Sequence, residues 1–195
     1  MIETIQTIDW AILRGIRSQL GCPALDFWMP KITMLGNGGV LWLFSAFVLL
    51  ANRKNRRWGG ILLLGLALGF AVGNLWLKPM VARARPSWLD PGVMLLIPPM
   101  TDYSFPSGHT MASFMAATVL ARWNRRLAVP AYLLAGLIAF SRMYLYVHFP
   151  SDVLAGAVLG VALGQLAIFW GLRFCGWRQK RTDAINPGNK SEPKR

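Results

Sequence analysis

The stretch GGILLLGLALGFAVGNLWL, Gly59 to Leu77, runs without a charged residue, for about the 20 positions a helix needs to cross a hydrocarbon core of ~30 Å. Few soluble folds can accommodate such a run, because in lipid the backbone N–H and C=O groups must pair within the segment itself. DVLAGAVLGVALGQLAIFWGL, Asp152 to Leu172, repeats the pattern after its first residue. Val40–Ala51, Thr110–Ala121 and Leu127–Phe140 are shorter apolar runs that cross only if their flanks are helical too. With 54% hydrophobic residues in 195, the expectation is an all-α polytopic membrane bundle of about six helices. Five segments cross, and an N-terminal interfacial helix or helices complete it.

The first residues, MIETIQTIDWAILRGIRSQLG, carry Glu3 and Asp9 without a basic leader, which argues against a removable signal peptide. Ile5, Ile8, Trp10, Ile12, Leu13 and Ile16 share a broad apolar face, as an amphipathic helix at a membrane surface requires. The next segment, PALDFWMPKITMLGNGG, reads as a second short helix lying at the membrane or dipping into it, with Pro30 and the glycines opposing a straight span. Cys22 and Cys175 fall near opposite ends of this topology, so a disulfide between them is not expected.

A net charge of +13 suggests nucleic acid as a partner, but the basic residues sit in connectors between apolar runs, so the reading is no nucleic acid. If the helices alternate, NRKNRR (52–57), RWNRR (122–126) and everything after Arg173 share one face. Lysine and arginine favour cytoplasmic loops, which puts that face inside and both histidines outside, in a bacterial-type inner membrane. Residues 1–178 form the membrane-embedded domain, and 179–195 a disordered basic cytoplasmic tail near anionic headgroups. Two helices repeat glycine every fourth position, Gly65–Gly69–Gly73 and Gly156–Gly160–Gly164; such ridges allow close helix packing in lipid and would brace the outer loops.

Three polar clusters interrupt the apolar background on the outer side: Lys78 with Arg85-Pro86, Pro106-Ser107-Gly108-His109, and Ser141-Arg142 with His148 and Asp152. Ionisable groups at such depths are expensive unless paired or functional. Ser107 is a suitable N-cap, and Gly108 leaves the first N–H groups of its helix open to an anion such as phosphate. Lys78, Arg85 and Arg142 add a point charge and two planar forks, suited to phosphoryl oxygens and to charge that develops during transfer. Pro150 disfavours a helical Phe149, so His148 closes one helix while Ser151 and Asp152 open the next. Asp152 can then hydrogen-bond one imidazole nitrogen of His148 and leave the other free as a nucleophile, with His109 as the acid for a leaving alcohol. Each histidine taken singly is also explained by helix packing, and Asp152 by a helix start. Arg83 reads as a solvated or headgroup-facing residue, and Trp88, Tyr103, Phe105, Tyr144, Tyr146 and Phe149 as an interfacial belt.

Taken together, Lys78 then six residues then Arg85-Pro86, Pro106-Ser107-Gly108-His109, and Ser141-Arg142 then five residues then His148 then three residues then Asp152 resemble the three-part signature of the type 2 phosphatidic acid phosphatase family. These are membrane lipid phosphatases related to vanadium haloperoxidases. The resemblance implies a metal-independent lipid phosphatase without cofactor, acting through a phosphohistidine. His148 is then the nucleophile, Asp152 its orienting partner, and His109 the acid that later serves as base. Lys78, Arg85, Ser107, Gly108 and Arg142 hold the phosphate. Undecaprenyl pyrophosphate and phosphatidylglycerol phosphate are the leading substrates this implies, with phosphatidic acid next. A non-catalytic lipid-phosphate binder or flippase, or a lipid phosphotransferase, would use the same cationic pocket.

Overall fold

The computed structural model describes residues 2–185, with side chains for residues 3–174. Among these the protein is helical throughout: α1 (Ile2–Leu20), α2 (Pro23–Leu35), α3 (Val40–Ala51), α4 (Arg56–Gly69), α5 (Lys78–Val81), α6 (Pro86–Leu89), α7 (Gly108–Trp123), α8 (Ala128–Tyr144) and α9 (Pro150–Ile185). A π-helical segment, Phe70–Leu77, joins α4 to α5. Three stretches, Arg56–Leu89, Arg125–Tyr144 and Pro150–Phe174, are long and apolar enough to cross a membrane; Pro23–Leu35 and Asn37–Ala51 reach that length only together, as a pair bent by 42°. This is a multi-pass membrane protein. The bend falls at GNGG, where Gly38 and Gly39 take the left-handed φ values 57° and 67° that a side chain resists.

The fifth expected crossing, α7, has 16 residues, about 24 Å of helix. It is the centre of the bundle, in contact with α3, α4, α8 and α9. Met111, Met115, Ala116, Ala117 and Val119 are buried together with Thr110, Ser113 and Thr118. Their hydroxyls are all satisfied: Thr110 pairs with Ser107, Trp42 donates to Ser113 at 3.1 Å, and Thr118 donates to the Phe114 carbonyl at 2.8 Å. A helix enclosed by protein can carry such polarity, which a lipid-facing one cannot.

Both glycine ridges pack onto α7. A Cβ on Gly156 would lie 2.7 Å from the Ser107 carbonyl oxygen, and one on Gly164 2.9 Å from Thr118 Cβ. In the other ridge, Gly65 and Gly73 meet the side chains of Met115 and Met111. The ridges therefore fix the depth of α7, and with it the position of Ser107, whose N–H donates to the Asp152 carbonyl at 3.1 Å.

Helix α1 leaves Ile5, Ile8 and Ile12 exposed while Asp9 and Leu13 turn inward. The apolar face expected of this helix is thus divided, with Leu13 in the core and the isoleucines outside, and its inner side carries a carboxylate into the bundle. Tyr144, Tyr146 and Phe149 are buried, whereas Trp88 and Tyr103 are exposed. The expected aromatic belt is thus two populations, because the first three seat the turn between α8 and α9 against Trp10, Leu13, Met29 and Leu96. Helix α9 continues to Ile185, past residue 178 where the tail was expected to begin. Of that tail, residues 186–195 lie outside the described residues, as does the Cys175 side chain; Cys22 is free and exposed.

Candidate active site

The turn between α8 and α9 carries the first histidine. Helix α8 ends at Tyr144, four residues before His148 and not at it. Tyr146 then takes φ 62°, an uncommon value for an aromatic residue. Its ring is held by Trp10 and its hydroxyl by Asp90 at 3.1 Å. The reversal brings the Val147 carbonyl and the His148 ring onto Arg85, whose NH1 lies 2.6 Å from the former and 3.2 Å from His148 Nε2. A guanidinium can only donate, so Nε2 carries the lone pair and the ring proton belongs on Nδ1.

Nδ1 faces the Asp152 carboxylate at 3.7 Å. In place of the expected hydrogen bond there is a polar contact, longer than a hydrogen bond, since Asp152 Oδ2 is already taken by the Ser104 hydroxyl and by the Phe149 N–H at 2.9 Å. Ser104 Oγ also stands 3.5 Å from Nδ1, beside both ring and carboxylate. Burial pushes the His148 imidazole down to about 3, against the opposing pull of Asp152, so the ring is neutral near pH 7.

The second histidine opens α7. His109 Nε2 lies 2.8 Å from Asn37 Oδ1, and Gly36 leaves its ring room: a Cβ there would stand 2.7 Å from His109 Cδ2. The first N–H groups of α7 lack an intrahelical acceptor; the first helical bond is Met111 N–H to the Ser107 carbonyl at 2.9 Å. Ser107 occupies the N-cap position but makes no capping bond. Its buried hydroxyl pairs with Thr110 at 2.9 Å instead.

These groups line one cavity of about 670 Å³. Its polar end is formed by Lys78, Arg85, Asp102, Gly108, His109, Arg142 and His148, its apolar end by Leu43, Leu63, Leu66, Phe70, Met111 and Met115. Six of the eight residues singled out from the sequence thus share one wall; Ser107 and Asp152 stand behind it. Both imidazoles face the same space. Lys78 and Arg85 share the carboxylate of Asp102, the latter through Arg85 NH2 to Oδ1 at 2.7 Å. Burial would raise that carboxyl, but Lys78 and Arg85 hold it at about 2. Arg142 has no carboxylate partner among the described residues: NH1 donates to Thr33 at 2.7 Å, and Nε is buried and unpaired.

A model of the PAP2 superfamily matches residues 58–174. The chain belongs to the PAP2 superfamily. It is 32% identical over 130 residues to a Sulfolobus acidocaldarius protein named undecaprenyl-diphosphatase, covering 66% of this chain and 62% of that protein. The chain thus spans about three fifths of the length of that relative. The crystal structure of Aquifex aeolicus LpxE superposes with a TM-score of 0.72 at 32% identity, over 82% of this chain and 93% of the other. A transmembrane PAP2-type phosphatidylglycerolphosphate phosphatase from Bacillus subtilis gives 0.73 at 27%, over 87% of each.

Four residues of this PAP2 site escape a reading by motif. Asn37 is distant in sequence and reaches His109 only through the bend between α2 and α3. Asn74 is the one amide in the charge-free run Gly59–Leu77; it lines the cavity with a buried, unpaired Oδ1, and its isolation in that run was a usable signal. Asp102 pairs with two of the cations. Arg83, expected to be solvated, points inward to Asp152 at 2.6 Å.

Proposed function

We propose that this protein hydrolyses a lipid-linked phosphomonoester or diphosphate at the outer leaflet, through a phosphohistidine. The observation that carries the reading is the single cavity with two imidazoles and three cations at one end and an apolar wall at the other. A phosphate head and a hydrocarbon chain have opposite needs, and this space supplies both.

Phosphate displaces Asp102 and takes the donors of Lys78, Arg85 and Arg142 together with the N–H groups at the start of α7. Arg85 then releases the lone pair on His148 Nε2, which attacks phosphorus as the bond from phosphorus to the leaving oxygen breaks. His109, held as the imidazolium by the negative charge of the bound phosphate, gives one proton to that oxygen and becomes neutral. Asp152 compensates the positive charge that forms on the His148 ring. Water next attacks the phosphorus, His109 takes up its proton, the P–N bond breaks, and inorganic phosphate leaves with the histidine regenerated. The basic connectors at 52–57 and 122–126 lie at the opposite ends of the crossing helices, which supports an outward-facing site and a cytoplasmic C-terminus in a bacterial-type inner membrane. A polyprenyl diphosphate on the outer leaflet is the substrate class we favour, with phosphatidylglycerol phosphate next.

The test is phosphate release by purified protein in detergent from a panel of lipid mono- and diphosphates, without added acceptor, for wild type and His148→Ala. Release by the wild type, lost in the variant with lipid binding kept, supports hydrolysis. Unchanged turnover in His148→Ala removes the nucleophile, and binding without any release identifies a binder or flippase.

A further inference from the structure

We propose that Arg83, held by Asp9 of α1, is a positioning residue that fixes the Asp152 carboxylate behind His148, so that the N-terminal helix is part of the reaction machinery. The inference rests on the phosphohydrolase reading above. Arg83 NH1 reaches Asp152 Oδ1 at 2.6 Å and Ser151 Oγ at 2.7 Å. Its NH2 reaches Asp9 Oδ2 at 2.7 Å and Gln6 Oε1 at 2.8 Å. The guanidinium plane is also pinned over Phe149, with Cζ 4.3 Å from the ring centre.

Asp9 is 2% exposed and takes three donors: Arg83, the Ser151 N–H at 2.9 Å, and the Ser151 hydroxyl at 2.5 Å. It therefore ties α1 to the first turn of α9, where Asp152 resides. Asp152 is tethered through both oxygens, Oδ1 by Arg83 and Oδ2 by Ser104 and the Phe149 N–H. A carboxylate held on both sides cannot rotate, and the oxygen nearest His148 Nδ1 stays at its 3.7 Å station. Without Arg83, Oδ1 would be a bare buried acceptor, and the carboxylate would turn or take a proton to satisfy it. Either change releases the imidazole. Helix α1 lies outside residues 58–174, so this support comes from the chain's own N-terminal segment.

The experiment uses the full chain in detergent with a hydrolysed lipid phosphate, comparing wild type, Asp9→Asn, Arg83→Gln, Arg83→Lys, the Asp9→Asn/Arg83→Gln pair and His148→Ala. Displacing a reacting group by ~1 Å costs about 100-fold, and we expect kcat to fall by that much in Arg83→Gln. Loss of an outer hydrogen-bond partner costs about tenfold or more, which is the expectation for Asp9→Asn. The KM and the inhibition constant of inorganic phosphate should stay within about twofold, because the phosphate-holding cations are untouched. Arg83→Lys should recover part of kcat, and the double variant should be no slower than Arg83→Gln. Wild-type kcat in both single variants would overturn the proposal, as would a loss of phosphate affinity in step with kcat. If Arg83→Gln does not fold, Asp9→Asn decides by the same two readings. A wild type without turnover removes the phosphohydrolase reading itself, whereas turnover lost in His148→Ala yet kept in Asp9→Asn and Arg83→Gln removes the positioning role alone.

Discussion

Replacing Gly36 by alanine should act on His109 and almost nothing else. Gly36 has φ −89° and ψ −9°, which any residue adopts, so the backbone is indifferent to the change. The added methyl is not free: it would lie 2.7 Å from His109 Cδ2 and 3.0 Å from Ile138 Cγ2, and Ile138 is fully buried. The imidazole has to retreat by roughly 0.7–1.3 Å to restore ordinary contact at about 3.4–4 Å. That motion breaks the 2.8 Å contact with Asn37 and moves the proposed proton donor by a distance that costs up to about 100-fold in rate. Overpacking of this kind costs about 1–3 kcal/mol of stability, so the folded fraction must be checked by thermal unfolding alongside kinetics.

The assay compares two phosphomonoesters in Gly36→Ala and wild type, one with an alkyl alcohol leaving group and one with p-nitrophenolate. An alkoxide needs a proton to leave and p-nitrophenolate does not. The alkyl ester should lose about 100-fold in kcat, and the aryl ester at most a few-fold. Equal losses on both esters, or none on either, would refute the argument that Gly36 exists to seat a general acid.

Asp102→Asn removes the carboxylate that occupies Lys78 and Arg85; a half-exposed pair is worth about 0.2–1 kcal/mol, so inorganic phosphate should inhibit about 1.4- to 5-fold more tightly. Weaker inhibition in that variant would mean that Asp102 assists phosphate binding. The His148 imidazole, pushed by burial to about 3 from 6.5, takes up its proton more readily when unfolded. Between those values stability therefore falls as pH falls, by on the order of 2 kcal/mol at pH 5. Thermal unfolding should accordingly lose more between pH 7 and 5 in wild type than in His148→Gln, and parallel curves would exclude His148 as the source. Turnover should persist in excess chelator and be inhibited by vanadate, which resembles a five-coordinate phosphorus; loss of activity in chelator alone would overturn the proposed chemistry.

The crossing segments and the three signature clusters were legible in the sequence because each depends on local properties: charge-free length, and motif residues at helix ends. The same information could not place Arg83. Alone, an arginine in a loop resembles any solvated arginine; it is drawn inward by Asp9, some seventy residues away, whose own position depends on the packing of α1 against α8 and α9. Tyr144, Tyr146 and Phe149 misled for a related reason, since aromatic residues near a membrane surface and aromatic residues under a turn have the same composition. The hydrogen bond expected between His148 and Asp152 follows from spacing alone, and the Ser104 that takes up the carboxylate comes from a loop that spacing does not describe.

The arrangement of carboxylates explains how three largely buried cations can line one cavity and still be available. Asp152 and Asp9 enclose Arg83 at 0% and 2% exposure, where neither acid can leave without stranding a buried charge. Asp102 is different: its side chain is 51% exposed, so water can take it over as it lets go of Lys78 and Arg85. The inner acids are therefore fixed in place and the outer one exchangeable. Arg142 stands apart from both, buried, bound only to Thr33, and with no carboxylate among the described residues. In the proposed mechanism an arriving phosphate meets one cation without a carboxylate partner among the described residues and two whose counter-ion can retreat into solvent, and the attraction of the first would favour displacement of the second.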